Sequence, residues 1–141
     1  MVEDYVGISS LSVFDAVGGP VFRGMRVTDQ GFAGFGELYF SEVCYGGVKA
    51  WKRHTDMTMN LMVPVGSVKF VFYDEAANKF VEHVIGRQRY CRMTVLPGVW
   101  FGFQGFSKGT NLIANFSNIT HDPKEVQVRD IDSFNYQWPE V

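Results

Sequence analysis

Long apolar runs, clustered basic residues and paired cysteines are the features that this sequence most clearly lacks. No apolar run approaches the roughly 20 residues of a membrane-spanning helix, so the sequence predicts no membrane partner. Thirteen basic and 15 acidic residues give a net charge of −2 without a basic cluster, which argues against a nucleic-acid partner. Only two cysteines are present, and both lie in apolar, strand-like segments. We therefore expect Cys44 and Cys91 to be buried free thiols in a reducing compartment.

The pattern of a secretory leader and helical periodicity are two further features that the residues of this chain do not show. The first residues, MVEDYVG, have neither the basic start nor the apolar stretch of a secretory signal, so we expect a cytoplasmic protein. No window of a dozen residues repeats apolar positions at the helical spacing of three and four. A chain of 141 residues is expected to form one domain, 1–141, with enough buried surface to fold without disulfides.

Short alternating segments, separated by glycine and proline, are what the sequence has instead. The segment 37–44, ELYFSEVC, alternates with Tyr39 on one side and Phe40 on the other. Other segments with strand character are 5–14, 20–27, 48–54, 57–63, 67–74, 80–85, 90–96, 100–103, 111–116 and 126–129. Fifteen glycines are available for the turns between them. This pattern predicts an all-β sandwich or barrel.

The segment 46–66, GGVKAWKRHTDMTMNLMVPVG, has the spacing of a cupin metal site without its ligands. The positions of His, His and Glu in such a site are held by Lys52, His54 and Met59, and the last His is replaced by Phe101 in LPGVWFGF. A protonated Lys repels a dication, Phe has no lone pair to donate, and a thioether is a poor ligand for zinc, iron or manganese. We therefore predict a barrel that holds no metal and no other cofactor.

Several motifs, in this order, resemble the dTDP-4-dehydrorhamnose 3,5-epimerase family and its shorter ketoisomerase branch. They are GELYFSEV, GVKAWKRHTDMTMNLMVPVGSVKFVFYD, VLPGVWFGF and a tail with YQWP, spread between about Phe35 and Trp138. The resemblance implies an all-β jelly roll of the cupin type, a double-stranded β-helix barrel. It also implies a homodimer that binds a nucleoside diphosphate sugar in the barrel mouth and uses no metal.

The chemistry that this resemblance implies begins at a 4-keto group, which acidifies the neighbouring C–H bonds. A base removes a proton, a donor stabilises the enolate, and an acid returns a proton to the other face. The family's base falls on Lys52 here, and a later pocket His falls on Phe101. The Asp that orients the base would fall on Ile131, which Asp130 and Asp132 flank.

Three residues are predicted to carry the reaction. His54 is the leading acid or base: residues two apart on a strand share a face, so it lies on the face of Lys52, and the resemblance implies that this face lines the barrel interior. A structural, hydrogen-bonded histidine is the alternative. Lys52 either binds or polarises substrate or, with a lowered pKa, acts as base, and a buried Lys would need a partner. Tyr39 is a second candidate for the general acid.

Substrate binding is assigned to a further group of residues. Lys49 falls on the family arginine that meets the diphosphate, with Arg23 and Arg53 as candidates to supplement it. Either Met59 or Asn60 occupies the place of a family cation near the keto oxygen, and the register decides which one faces inward.

The remaining aromatic and histidine candidates are Phe101, His83 and His121. Phe101 stands where a polar pocket residue is expected, and it is predicted to contact substrate rather than only to fill the core. His83 and His121 have no such support and are interpreted as surface and turn residues.

The sequence thus predicts a metal-independent sugar-nucleotide epimerase or isomerase. Its substrate would be a nucleoside diphosphate 4-keto-6-deoxy sugar of polysaccharide or deoxysugar synthesis, and its reaction would begin with proton abstraction next to the keto group. Because Lys52 and Phe101 replace expected histidines, a cupin that binds a sugar nucleotide or carbohydrate without turnover remains the alternative. The nucleotide, the sugar and the number of carbons changed are left open.

Overall fold

Two five-stranded antiparallel sheets form the body of the protein in a computed structural model, which describes residues 1–141. The strands are β1 (Val6–Ser10), β2 (Val13–Phe14), β3 (Val21–Phe22), β4 (Glu37–Glu42), β5 (Val48–His54), β6 (Met59–Val65), β7 (Ser67–Asp74), β8 (Lys79–Gly86), β9 (Cys91–Val95), β10 (Trp100–Gly105), β11 (Leu112–Ser117) and β12 (Val126–Val128). The only helical segments are three-residue 3₁₀ turns at Val2–Asp4, Pro123–Glu125 and Ile131–Ser133. None of them could cross a membrane as a helix.

The chain crosses repeatedly between the two sheets. The first sheet has the order β1-β9-β6-β11-β4, and the second has the order β12-β5-β10-β7-β8. From β4 to β7 successive strands alternate between the sheets, and from β8 to β12 they do so again, while β2 and β3 form a separate hairpin. This winding is that of a jelly roll, so the predicted all-β fold class is confirmed.

The core between the sheets follows from the period-two alternation of the strands. On β6, Met59, Leu61 and Val63 are buried in it, and on β7 Phe70 and Phe72 lie in the same cluster. The opposite residues of β6 and β7 face outward. One face of each strand therefore forms the interior between the sheets, and most of the side chains there are apolar.

The outer face of the second sheet is covered by the C-terminal segment. Trp51 is fully buried there, and its ring contacts Phe134, Tyr136 and Trp138 of the tail at centroid distances of 5.2, 6.1 and 5.4 Å. Its indole N–H donates to the Ile131 carbonyl at 3.1 Å. The tail thus stabilises the strand that carries His54.

Strand structure near the N-terminus is shorter than the alternation predicts. The segments 5–14 and 20–27 contain only β1 and the two-residue strands β2 and β3. The residues after β3 are held by a side chain instead of by a neighbouring strand. The Arg92 guanidinium donates to the Gly24 carbonyl at 2.8 Å and to the Gln30 carbonyl at 3.0 Å. Both cysteines are free thiols, but only Cys91 is buried as expected, because Cys44 is exposed in the connection that follows β4.

Candidate active site

A cavity of about 620 Å³ lies between the two sheets and opens to solvent. The first sheet lines it with Glu37, Tyr39, Ser41, Met59, Leu61, Ile113 and Asn115. The second sheet lines it with Lys49, Lys52, His54, Phe70, Phe101, Phe103, Val126 and Val128. His121 and Pro123 come from the segment that connects β11 to β12. The cavity is therefore an apolar barrel interior with polar groups on both walls.

A bulge in β5 brings two lysines into this cavity. Against β10, Lys52 pairs with Phe101 and Lys49 pairs with Phe103, with a register shift between Phe101 and Gly102. Without the shift, residues three apart on a strand would face opposite sides. Strands β5 and β10 approach closely at the bulge, where a Cβ on Gly102 would lie 2.7 Å from the Ala50 Cβ.

His54 forms a buried pair with Glu125, a residue that the sequence analysis did not identify. The His54 Nδ1 lies 2.6 Å from the Glu125 Oε2, and the two residues are only 7% and 2% exposed. The Phe101 ring stacks beside the imidazole at a centroid distance of 6.0 Å. The ring of His54 is thus fixed on one edge by a carboxylate and on one face by an aromatic ring.

The Glu125 carboxylate is held by the backbone as well as by His54. Its Oε1 accepts from the Met57 N–H at 2.8 Å and from the Asp56 N–H at 3.3 Å. Burial raises the pKa of Glu125, but the hydrogen bonds from His54 and from these N–H groups outweigh it and leave the pKa below its usual value. Glu125 is therefore ionised at neutral pH.

The charge of Glu125 determines the tautomer of neutral His54. An ionised carboxylate only accepts hydrogen bonds, so the proton of the imidazole must be on Nδ1. The lone pair is then on Nε2, and His54 lines the cavity. This is the arrangement of an oriented general base, in which a carboxylate fixes the ring and stabilises the imidazolium that forms.

The two cavity lysines differ in their partners. The Lys49 Nζ donates to the Glu42 carbonyl at 2.7 Å. Lys52 makes no hydrogen bond or ion pair within the chain, and its side chain is exposed at the cavity. Because Lys52 is exposed, burial does not disfavour its charged form as the alternative role of base would require, and the role of a cation that binds or polarises substrate is the one that fits its surroundings. Its ammonium group is available to a ligand.

Tyr39 lies on the opposite wall, on β4. Its hydroxyl accepts from the Asn115 Nδ2 at 2.8 Å, and its own proton contacts only the Met57 sulfur, at 3.8 Å. Burial raises the pKa of Tyr39, with the Asn115 hydrogen bond opposing it, so the phenol stays protonated at neutral pH. Tyr39 can therefore donate a hydrogen bond to a substrate oxygen.

Three predicted binding residues lie outside the cavity. Asn60 faces the outside of the first sheet, where its side chain donates to the Gly31 carbonyl at 3.0 Å and accepts from the Thr94 hydroxyl at 2.6 Å. The register of β6 thus places Met59, not Asn60, in the cavity.

Arg53 and Arg23 are the other two. Arg53 lies between Lys52 and His54, so the alternation of β5 turns it outward to Glu75, 3.1 Å away, and over the Trp100 ring. Arg23 lies in a separate surface crevice, where its guanidinium packs over Phe14, 5.1 Å from the ring centroid.

Two residues of the candidate site were missed for different reasons. Glu125 is 71 residues from His54 in the chain, and the resemblance directed attention to Asp130 and Asp132 instead. Neither aspartate contacts His54; the partner comes from the 3₁₀ turn that Asp122 caps by accepting from the Lys124 N–H at 2.9 Å. His121 was interpreted as a turn residue, and it does lie in a connection, but it also lines the cavity.

Comparison with solved structures gives clear matches, whereas comparison of the sequence with protein-family models and with curated proteins gives none. A dTDP sugar isomerase from Desulfovibrio desulfuricans G20 has a TM-score of 0.89 and 35% identity, covering 94% of this chain and 90% of the other.

Two more distant structures share the fold. The sugar 3,4-ketoisomerase QdtA from Thermoanaerobacterium thermosaccharolyticum, in complex with TDP, has a TM-score of 0.75 and 16% identity over 91% of this chain and 90% of that one. The 3,5-epimerase RmlC from Legionella pneumophila, in complex with dTDP-4-keto-L-rhamnose, has a TM-score of 0.79 and 14% identity over 95% and 78%. The 35% identity to the first structure, over nearly the whole of both chains, places the protein more narrowly: it belongs to the dTDP-sugar isomerase and epimerase family of cupin barrels.

Proposed function

We propose that the protein is an isomerase or epimerase of a dTDP-linked 4-keto-6-deoxy sugar. The observation that carries the proposal is the buried His54–Glu125 pair, which presents an oriented imidazole to a cavity in a barrel of this family. A cavity of about 620 Å³ falls within the usual range for small-molecule sites, roughly 300–1,000 Å³.

The reaction begins when His54 Nε2 removes the proton from a carbon next to the keto group. The electrons of the C–H bond form the carbon–carbon double bond of an enolate, and those of the carbonyl bond move to its oxygen. Glu125 stabilises the imidazolium that results. Lys52 is two residues from His54 on the same face and has no other partner, so its ammonium stabilises the enolate oxygen. Tyr39 donates a hydrogen bond to a substrate oxygen from the other wall.

Lys49 lies near the start of β5, ahead of Lys52 and His54, and its role is to bind the diphosphate. Its Nζ already donates to the Glu42 carbonyl, and a Lys ammonium has three donors, so two remain for phosphate oxygens. Phe101 and Phe103 form the apolar surface beside both lysines. The sugar would then lie at His54, where β5 ends, and the nucleotide would lie near Lys49, where β5 begins.

Binding without turnover is the alternative that the sequence left open. It was motivated by the replacement of the expected base by Lys52. His54 removes that motive, because a second residue on the same strand face carries the carboxylate partner that a base requires. We therefore favour the enzyme.

The test is to incubate the protein with TDP-4-keto-6-deoxyglucose in D₂O and to follow the sugar protons by NMR. The proposal predicts incorporation of deuterium next to the keto group together with a new sugar isomer. Tight binding of TDP without incorporation would instead support the non-catalytic alternative. A variant with His83→Asn, on β8 and outside the cavity lining, serves as the control.

Three further predictions belong to this proposal. The protein is a homodimer, which size-exclusion chromatography with light scattering would test, and it works in the cytoplasm. The proposed chemistry needs no metal or cofactor, and no three His, Cys, Asp or Glu side chains converge as metal ligands. Elemental analysis of protein purified without chelator or His-tag should give well under one metal ion per chain.

A further inference from the structure

The cavity contains a second histidine that the proposed mechanism does not use. His121 follows β11 and lines the same cavity as His54. Unlike His54, it is exposed to solvent. Its backbone N–H donates to the Glu37 Oε1 at 2.9 Å, which holds the loop against the start of β4.

The two histidines are anchored to different sheets. His54 ends β5 of the second sheet, and its carboxylate partner leads into β12 of the same sheet. His121 leaves β11 of the first sheet and is held by Glu37 of the first sheet. A sugar ring between the walls would present one face to each imidazole.

We propose that His121 donates a proton to the carbon that His54 deprotonates, from the opposite face, so that the reaction inverts this carbon. The inference rests on the proposed function and makes it more specific: the reaction is an epimerisation and not a shift of the keto group. A keto shift by one base would return the proton on the face from which it was taken and would not need His121.

The proton balance of this step is complete without a further reactant. His54 gains the proton of the substrate and becomes an imidazolium. Protonated His121 transfers its proton to the enolate carbon, the electrons of the carbon–carbon double bond form the new C–H bond, and the carbonyl is restored. His121 then takes a proton from water and His54 releases one, which resets both groups.

Tyr39 is the competing donor on the same wall, and its surroundings differ. Burial raises the pKa of Tyr39, with the Asn115 hydrogen bond opposing it, so the phenol releases its proton reluctantly. Its hydroxyl accepts from the Asn115 Nδ2 at 2.8 Å, and its side chain is partly buried. His121 is exposed to solvent, from which it can be reprotonated in every turnover. Tyr39 is therefore suited to bind a substrate oxygen, and His121 to deliver the proton.

The test compares two rates in D₂O with TDP-4-keto-6-deoxyglucose: deuterium incorporation into unconverted substrate and formation of the epimer. In His121→Asn, His54 still removes the proton and returns deuterium on the same face. We expect substrate exchange to continue and epimer formation to fall by about 10² or more. Tyr39→Phe should retain epimer formation relative to exchange, and His83→Asn should leave both rates unchanged. Calorimetric binding of TDP checks that each variant is folded.

Three results would overturn the inference. One is epimer formation by His121→Asn at the wild-type rate, and another is the uncoupling of exchange from epimerisation in Tyr39→Phe instead. The third is a wild-type product in which the keto group has moved without inversion; this leaves the proposed isomerase function intact. Absence of both exchange and product in the wild type would instead remove the proposed function, and the inference with it.

Discussion

The inner and outer faces of the second sheet differ in how far their side chains find partners within the chain. On the outer face, Trp51 is fully buried against the tail and donates to Ile131, and Arg53 binds Glu75 and Gln127. On the inner face, Lys52 has no partner and His54 uses only Nδ1. Both sets come from one strand of seven residues. The difference indicates that the outer face serves stability and the inner face is left free for a ligand.

Trp51→Ala should produce the largest change in stability. The substitution removes a fully buried indole that packs on Phe134, Tyr136 and Trp138, and truncating a buried aromatic residue typically costs about 3–5 kcal/mol. Urea unfolding followed by circular dichroism measures this free energy. A loss below about 1 kcal/mol, the size of an ordinary surface substitution, would mean that the tail does not stabilise β5.

Glu125→Gln tests whether Glu125 orients the imidazole of His54 or only packs beside it. Its amide oxygen can keep accepting from the Met57 N–H, and its NH₂ group then faces His54 Nδ1 and moves the imidazole proton to Nε2. The wrong tautomer removes the base at Nε2 and should lower kcat by about 10²–10⁴, while TDP binding stays close to wild type. Steady-state kinetics and calorimetry test this pair of outcomes, and an unchanged kcat would end the orienting role of Glu125.

Lys52→Met tests the unpaired cation and has a matched control one residue away. Removing a group that stabilises a developing oxyanion typically costs about 10² in kcat, and the stem of methionine fills similar space. Arg53→Met removes a cation from the outer face of the same strand and should leave kcat unchanged. Equal effects of the two substitutions would point to general charge rather than to the position of Lys52 in the cavity.

The loss of folding stability at acid pH that is due to Glu125 should be the smallest of the expected effects. The pKa of Glu125 is lower in the folded protein than its ordinary value of 4.5, so its ionised form stabilises the fold. That contribution is complete above about pH 4.5 and is lost as the pH falls through the lowered value. Between neutral pH and pH 3, wild type should therefore lose more stability than Glu125→Gln. Parallel losses in the two proteins would contradict the assigned shift.

Particular residues show where sequence reasoning succeeded and where it could not. The period of two along β5 places Lys52 and His54 on one face, and the same rule, applied strictly, would have placed Arg53 outside. Lys49 reaches the cavity only because of a bulge against β10, which spacing alone does not reveal. Asn60 and Met59 exchange roles with a one-residue change of register. Glu125 comes from a distant connection, so its pairing with His54 depends on the tertiary fold.

Deuterium incorporation by His54→Asn is the measurement that tests the central claim most directly. Asparagine keeps a polar side chain beside Glu125 but provides no base at the position of Nε2. With TDP-4-keto-6-deoxyglucose in D₂O, the account predicts that both incorporation next to the keto group and product formation fall by at least about 10², while TDP still binds. Incorporation at the wild-type rate in this variant would show that another group removes the proton, and the assignment of His54 as the base would be wrong.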